Sequence, residues 1–198
     1  MKVIGITGGV GSGKSQVLDY MKEQFGATIC QADHVAWELQ EPGKSCYLEI
    51  VECFGIEILK QDGTINRSAL GAIVFEDEAK LQRLNDIMHP SVKKEIKRRL
   101  DAERSSGTEL FLVEAALLIE EHYDEICDEL WYIKTDTSVR RERLKASRDY
   151  NDEKIDAIMS AQLTDSVFEE ACQRVIDNSG EFRYTCKQIN EIMKQLGV

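Results

Sequence analysis

The chain has 198 residues, 42% hydrophobic and 31% charged, with only 2 prolines, a balance that excludes disordered, collagen-like and low-complexity classes. A chain of this length forms one to two domains and buries roughly 70% of the surface its unfolded form exposes. Acidic residues outnumber basic ones 36 to 25, for a net charge of −11, which argues against nucleic acid and anionic membranes as partners but not against a local cationic pocket.

No apolar run reaches the roughly 20 residues of a membrane span. The opening segment, Met1 to Val10, breaks into glycines too early for a secretory signal, so a cytoplasmic protein is expected. Cys30, Cys46, Cys53, Cys127, Cys172 and Cys186 show neither C-x-x-C nor zinc-site spacing and read as reduced thiols, mostly core fillers.

In chain order, Lys2 to Thr7 is a β-branched run ending in glycines, which predicts a buried strand and a tight loop. Val17, Met21 and Phe25 then recur at helical spacing, so a helix starts near Lys14. Ile29 to Asp33 reads as a second strand with Asp33 at its C-terminal end. The stretch 33–107 is charged and helical in period (Val92, Ile96, Leu100), punctuated by Asp62-Gly63 and His89-Pro90, with at most one short strand near Ile56 to Leu59. Strands are predicted again over Glu109 to Glu114, Glu129 to Lys134 and Gln173 to Asp177. A helical excursion spans Ser138 to Gln162, and a last helix turns Ile189, Ile192, Met193 and Leu196 to one face. Strands alternating with helices predict an α/β fold, a parallel sheet flanked by helices. Its core is expected over 1–32, 108–137 and 163–198, with a helical acceptor-binding insertion over 33–107 and a lid over 138–162.

Gly8 to Ser15 matches G-x-x-x-x-G-K-[ST] in full, between a strand and a helix. Glycines such as Gly11 and Gly13 let backbone N–H groups around Ser12 converge on phosphate oxygens. The helix N-terminus adds partial positive charge, Lys14 reaches the β- and γ-phosphates, and the Ser15 hydroxyl ligates Mg²⁺. A P-loop nucleoside triphosphate hydrolase fold using ATP and Mg²⁺ is therefore expected. The chain holds neither the guanine-reading N-K-x-D nor the L-S-G-G-Q of transporter ATPases, and its short length, insertion and late arginine cluster suit a small-molecule kinase.

Ligands of open parallel sheets bind outside the C-terminal strand ends, so Asp33 is a candidate to accept the proton of an attacking hydroxyl. The alternative is that it caps a helix beginning at His34. Glu114, ending its strand, is either a Walker-B-like carboxylate or a strand-end cap. From Arg140 to Arg148, five cations face one anion, as expected of a lid that neutralises a triphosphate. The second basic cluster, Lys93, Lys94, Lys97, Arg98 and Arg99, reads as the exposed face of a helix.

Taken together, I-T-G-G-V-G-S-G-K-S, Ala32-Asp33, Glu41-Pro42-Gly43, Asp62-Gly63 with Arg67 and Leu70, Leu84-Asn85 to His89-Pro90, Leu117-Leu118 with Glu120, Gln162, and Val175-Ile176-Asp177-Asn178 with Gly180 resemble the dephospho-coenzyme A kinases over nearly the whole chain. The resemblance implies transfer of the ATP γ-phosphate to the ribose 3′-hydroxyl of dephospho-coenzyme A. It implies Asp33, Lys14 and Arg143 as catalytic residues, and Gly11, Ser12, Gly13, Lys14, Ser15, Gln16, Arg148 and Asn178 around ATP. Asp33, Arg67 and His89 would face the acceptor. The alternatives are a nucleoside monophosphate kinase and a non-catalytic ATP- or coenzyme A-binding protein. Where the family has D-A-D this chain has Gln31-Ala32-Asp33. It also carries Gln16 for Thr, Ala116 for Pro, and Ser147 and Ile158 for lid arginines, with Arg148 one step after Ser147.

Overall fold

In the computed structural model, which describes residues 1–197, five strands form one parallel sheet. They are β1 (Lys2–Thr7), β2 (Thr28–Gln31), β3 (Leu110–Glu114), β4 (Glu129–Lys134) and β5 (Arg174–Asp177), in the order β2-β3-β1-β4-β5. The apolar runs of β1, β3 and β4 are buried nearly end to end, as parallel strands covered on both faces must be. Register sets Ile6 between Glu114 of β3 and Trp131 of β4, so Glu114 lies beside the end of the strand from which the Gly-rich loop springs.

Helix α1 (Lys14–Phe25) follows that loop and buries Val17, Leu18 and Met21. It stops at Gly26, whose left-handed φ of 64° lets its N–H close back on the Lys22 and Met21 carbonyls. These side chains share one core with Ile4, Ile6, Leu112, Trp131, Ile133 and Ile176 of the sheet. Ile189 and Met193 of a C-terminal helix, Phe182–Leu196, complete it.

The chain divides into two compact units, residues 1–29 with 103–198 and residues 30–102. These boundaries fall inside β2 and inside a long helix. The second unit holds α2 (Ala32–Leu39), α3 (Ser45–Phe54), α4 (Arg67–Phe75) and most of α5 (Glu78–Ser106). The 138–162 segment belongs to the first unit as α6 (Thr137–Arg148) and α7 (Asp152–Ser160), followed by α8 (Asp165–Ala171) and, after β5, by the C-terminal helix α9.

Several sequence expectations are corrected. Ile56 to Leu59 is not a strand: Ile56–Ile58 is a single 3₁₀ turn, and only Leu59 makes an isolated antiparallel bridge, to Ile65. The Asp62-Gly63 turn between them is tied by Asp62 to Thr64, and pairing ends where the 3₁₀ turn at Ile58 and the helix at Arg67 take over the backbone on either side. His89-Pro90 does not interrupt α5, which runs through Pro90 as one helix of 29 residues. A helix-interior proline costs about 3 kcal/mol, and the burial of Ile87, Met88, Val92, Ile96 and Leu100 along one stripe outweighs it. Strand β2 ends at Gln31, so Asp33 is neither a strand residue nor a cap; Gln31 occupies the N-cap and Asp33 the first turn of α2. All six cysteines are free, but only Cys30, Cys46 and Cys172 are buried, and Cys53 is exposed.

On α5, Glu95 accepts two hydrogen bonds from Arg98, both 2.8 Å, and one from Arg99 at 2.9 Å, while Arg99 also pairs with Glu38. The Arg98 hydrogen bond is the main cause holding the Glu95 carboxyl down at about 2. A lowered folded-state value stabilises the protein above the unfolded carboxyl pKa and ceases to do so as pH falls through the folded one. Glu95→Gln is therefore expected to lower stability by about 1 kcal/mol at neutral pH, given partial solvent screening. Urea unfolding across pH should show the gap to the unsubstituted protein closing between about 4.5 and about 2.

Candidate active site

The Gly-rich loop joins β1 to α1, and its shape is set by what grips its carbonyls. Arg140 of α6 donates from Nε to the Val10 carbonyl at 2.9 Å and from Nη2 to Gln162 Oε1 at 2.6 Å, and that same Oε1 accepts the Val10 N–H at 3.2 Å. The Ser12 carbonyl accepts three bonds: from Asn178 Nδ2 at 2.8 Å, Thr135 Oγ1 at 3.0 Å and Arg143 Nη1 at 3.3 Å. Arg143 also reaches the Asn178 carbonyl at 2.8 Å, and Thr185 holds the far end of the Asn178 amide at 2.9 Å. Every peptide here is trans, with C=O and N–H antiparallel. Holding the Val10 and Ser12 carbonyls against the protein therefore aims the Gly11 and Gly13 N–H groups the other way, making a concave nest of donors.

Side chains have no room in this nest. Gly13 has φ 85°, and a Cβ there would lie 2.4 Å from Asn178 Nδ2; at Gly8 it would lie 2.6 Å from the Ile133 carbonyl. Helix α1 starts without a side-chain cap, so its first N–H groups remain for an anion. Lys14 Nζ donates to the Gly8 carbonyl at 2.8 Å and lies 3.8 Å from Glu114 Oε1, which gives Glu114 a place beside the loop lysine. The buried hydroxyls of Thr7 and Ser12 have no protein partner. This cradle fits a nucleoside triphosphate. Among the described residues no cluster of three His, Cys, Asp or Glu side chains forms a metal cage.

The structure brings Gly11, Ser12, Gly13, Lys14, Ser15, Gln16, Arg143 and Asn178 around one loop, but not in the same roles. Asn178 is fully buried with its amide spent on Ser12 and Thr185, so it shapes the loop from behind rather than facing a ligand. Arg143 is engaged with backbone carbonyls. Arg148 sits about 7 Å further along α6, at its C-terminal end, over the Tyr150 ring at 5.9 Å. Its guanidinium is the main cause of the lowered Tyr150 pKa.

The five-cation run is less basic than its sequence, because Arg141 and Lys145 pair with Asp152, and Arg141 also with Asp156, on α7. Gln16 and Ser15 are exposed at the start of α1. In the second unit, Asp33 is in the first turn of α2, Arg67 opens α4 and His89 is half-buried in mid-α5. Arg67 lines a pocket of about 760 Å³ with His34, Trp37 and Lys60, whereas Asp33 and His89 are not part of its wall.

Two contributors escaped the sequence reading. Arg140 was one cation among five, yet its spacing of four from the buried Leu144 places it on the inward stripe of α6, where it is only 8% exposed. Trp37 lies four residues after Asp33 on α2 and gave no signal beyond being aromatic.

A family model described as dephospho-CoA kinase matches residues 2–183. A dephospho-CoA kinase from Carboxydothermus hydrogenoformans is 35% identical over 195 residues, covering 98% of this chain and 94% of that one. The crystal structure of TT1252 from Thermus thermophilus superposes with a TM-score of 0.80 at 26% identity, covering 98% and 97% of the two chains. The dephospho-CoA kinase of Campylobacter jejuni shares the fold at a TM-score of 0.71 and 24% identity, over 98% and 99%.

Removing the buried guanidinium should loosen the nest without touching a phosphate-facing donor. Arg140→Ala is expected to weaken ATP binding about tenfold, in line with the loss of hydrogen bonds from a charged group. Calorimetric titration with ATP checks this, and an unchanged affinity would show the grip on Val10 to be dispensable.

Proposed function

This chain belongs to the dephospho-CoA kinase family, and from that membership we propose that it transfers the γ-phosphoryl group of ATP to the ribose 3′-hydroxyl of dephospho-CoA, yielding coenzyme A and ADP as the last step of coenzyme A synthesis. The observation that carries the reading is the gripped P-loop at the uncapped start of α1, within a family match that runs through both units.

In the proposed reaction, Gly11, Gly13 and the first N–H groups of α1 hold the β- and γ-phosphates. Lys14 exchanges its bond to the Gly8 carbonyl for phosphate oxygens, which are the stronger acceptors because they are charged. Phosphoryl transfer needs positioning and charge neutralisation more than covalent help, and Lys14 and Arg143 are the cations assigned to it. Ser15 would hold Mg²⁺, which would supply further charge neutralisation for the triphosphate.

Asp33 takes the proton of the 3′-hydroxyl as the new O–P bond forms and the bond from the γ-phosphorus to the bridging oxygen breaks, releasing ADP. It stands in the first turn of α2, beside the helix N-terminus. Arg67 and His89 are assigned to the acceptor. The cytoplasm is part of this proposal.

Lys14→Ala is expected to reduce kcat/KM by about 10²- to 10³-fold, the scale of losing one charge-stabilising group. The measurement is dephospho-CoA-dependent ADP release, and near-normal rates would remove Lys14 from the mechanism. Asp33→Asn should lower kcat by about 10²-fold or more while leaving ATP affinity intact. If it instead changed only the melting temperature, its role would be confined to the α2 dipole.

A further inference from the structure

The 760 Å³ pocket of the second unit has the size of a small-molecule site, and its wall carries an unusual pairing. Trp37 is 48% exposed. The Arg67 guanidinium carbon lies 4.9 Å from the centre of its ring, and His34 contacts the ring at 5.0 Å with a tilt of 39°. A guanidinium stacked on an aromatic face keeps its N–H donors, which lie in its own plane, available to another partner. Among the described residues no carboxylate pairs with Arg67, although Glu38 and Glu41 line the same pocket. Lys60 adds a second cation. Trp37 follows Asp33 by four positions on α2, so the two side chains project from one helix face a single turn apart.

The following rests on the functional reading above. With the ribose hydroxyl at Asp33, the group one helical turn away is one attached directly to that ribose, either the purine or the 5′-diphosphate that joins adenosine to the pantetheine arm. A stacked arginine with open donors and a nearby lysine are matched to the anionic choice. We propose that Arg67 binds the diphosphate bridge of the acceptor and that Trp37 is the positioning residue that holds its guanidinium plane, so that this pair selects acceptors carrying the bridge over bare nucleosides.

The test uses the full chain, with Trp37→Leu, Trp37→Phe and Arg67→Ala compared in steady-state kinetics with dephospho-CoA and ATP, and with adenosine, which lacks the bridge, as competitor. Loss of one cation–π contact corresponds to about tenfold in affinity. Trp37→Leu should raise KM for dephospho-CoA by about that factor while kcat, KM for ATP and the inhibition constant of adenosine change less than about twofold. Trp37→Phe, which keeps an aromatic face, should recover to within about threefold of the unsubstituted protein, and Arg67→Ala should exceed Trp37→Leu.

An unchanged KM for dephospho-CoA in Trp37→Leu would overturn the pairing. So would a parallel weakening of adenosine, which would point to general damage or to purine stacking. If the unsubstituted protein releases no ADP in response to dephospho-CoA, the functional reading fails and this inference with it, a result distinct from normal turnover with an insensitive KM.

Discussion

Everything the first unit can do with a nucleotide depends on which way two peptide planes face, those that follow Val10 and Ser12. A Gly-rich loop is conformationally permissive, and permissiveness alone would leave its N–H groups aimed in many directions. Hydrogen bonds to the two carbonyls remove that freedom, with Arg140 on Val10 and with Asn178, Thr135 and Arg143 together on Ser12. The donors come from α6, from the segment after β4, which is β1's neighbour in the sheet, and from the end of β5, the strand beyond β4. The nest is thus a product of the sheet as much as of its own eight residues. Preorganised donors of this kind need no rearrangement when charge arrives, which is where electrostatic stabilisation gains most of its strength.

The distribution of cations follows the same logic. A chain of net charge −11 has more carboxylates than lysines and arginines, and several exposed cations sit in pairs with them. Arg98 and Arg99 pair with Glu95, and Arg141 and Lys145 with Asp152. Such exposed pairs contribute little to stability, but they leave few cations to attract anions indiscriminately. Arg140 and Arg143 are instead bonded to neutral carbonyl and amide oxygens, and Arg67 to an aromatic face, so among the described residues no carboxylate cancels their charge.

Much of this was legible in the residues. The strand, loop and helix around Gly8 to Ser15 were readable because a buried parallel strand, a run of glycines and a 3.6-residue stripe each leave a local pattern. The strands of the sheet's centre were readable for the same reason. What failed was reading by local rules where packing overrides them. Pro90 signals a helix end, yet α5 continues because the stripe from Ile87 to Leu100 is buried on both sides of it. Ile56 to Leu59 has strand composition, but its first three residues coil into a 3₁₀ turn and only Leu59 is left to pair. Asp33 was expected at a strand end with a helix after it, and the helix starts one residue before it instead.

By itself the sequence determined the chemistry available: a phosphate-binding loop, a carboxylate soon after the second strand and an α/β framework to carry them. It also carried the family resemblance that the matches over residues 2–183 establish. Only the tertiary structure decided which side chains do the holding. Arg140 and Asn178 lie 130 and 166 positions along the chain from the loop carbonyls they grip, and Trp37 and Arg67 meet across two helices. Hydrogen bonds and stacking act over a few ångströms in space, and no periodicity along the chain records a contact between residues so far apart in it.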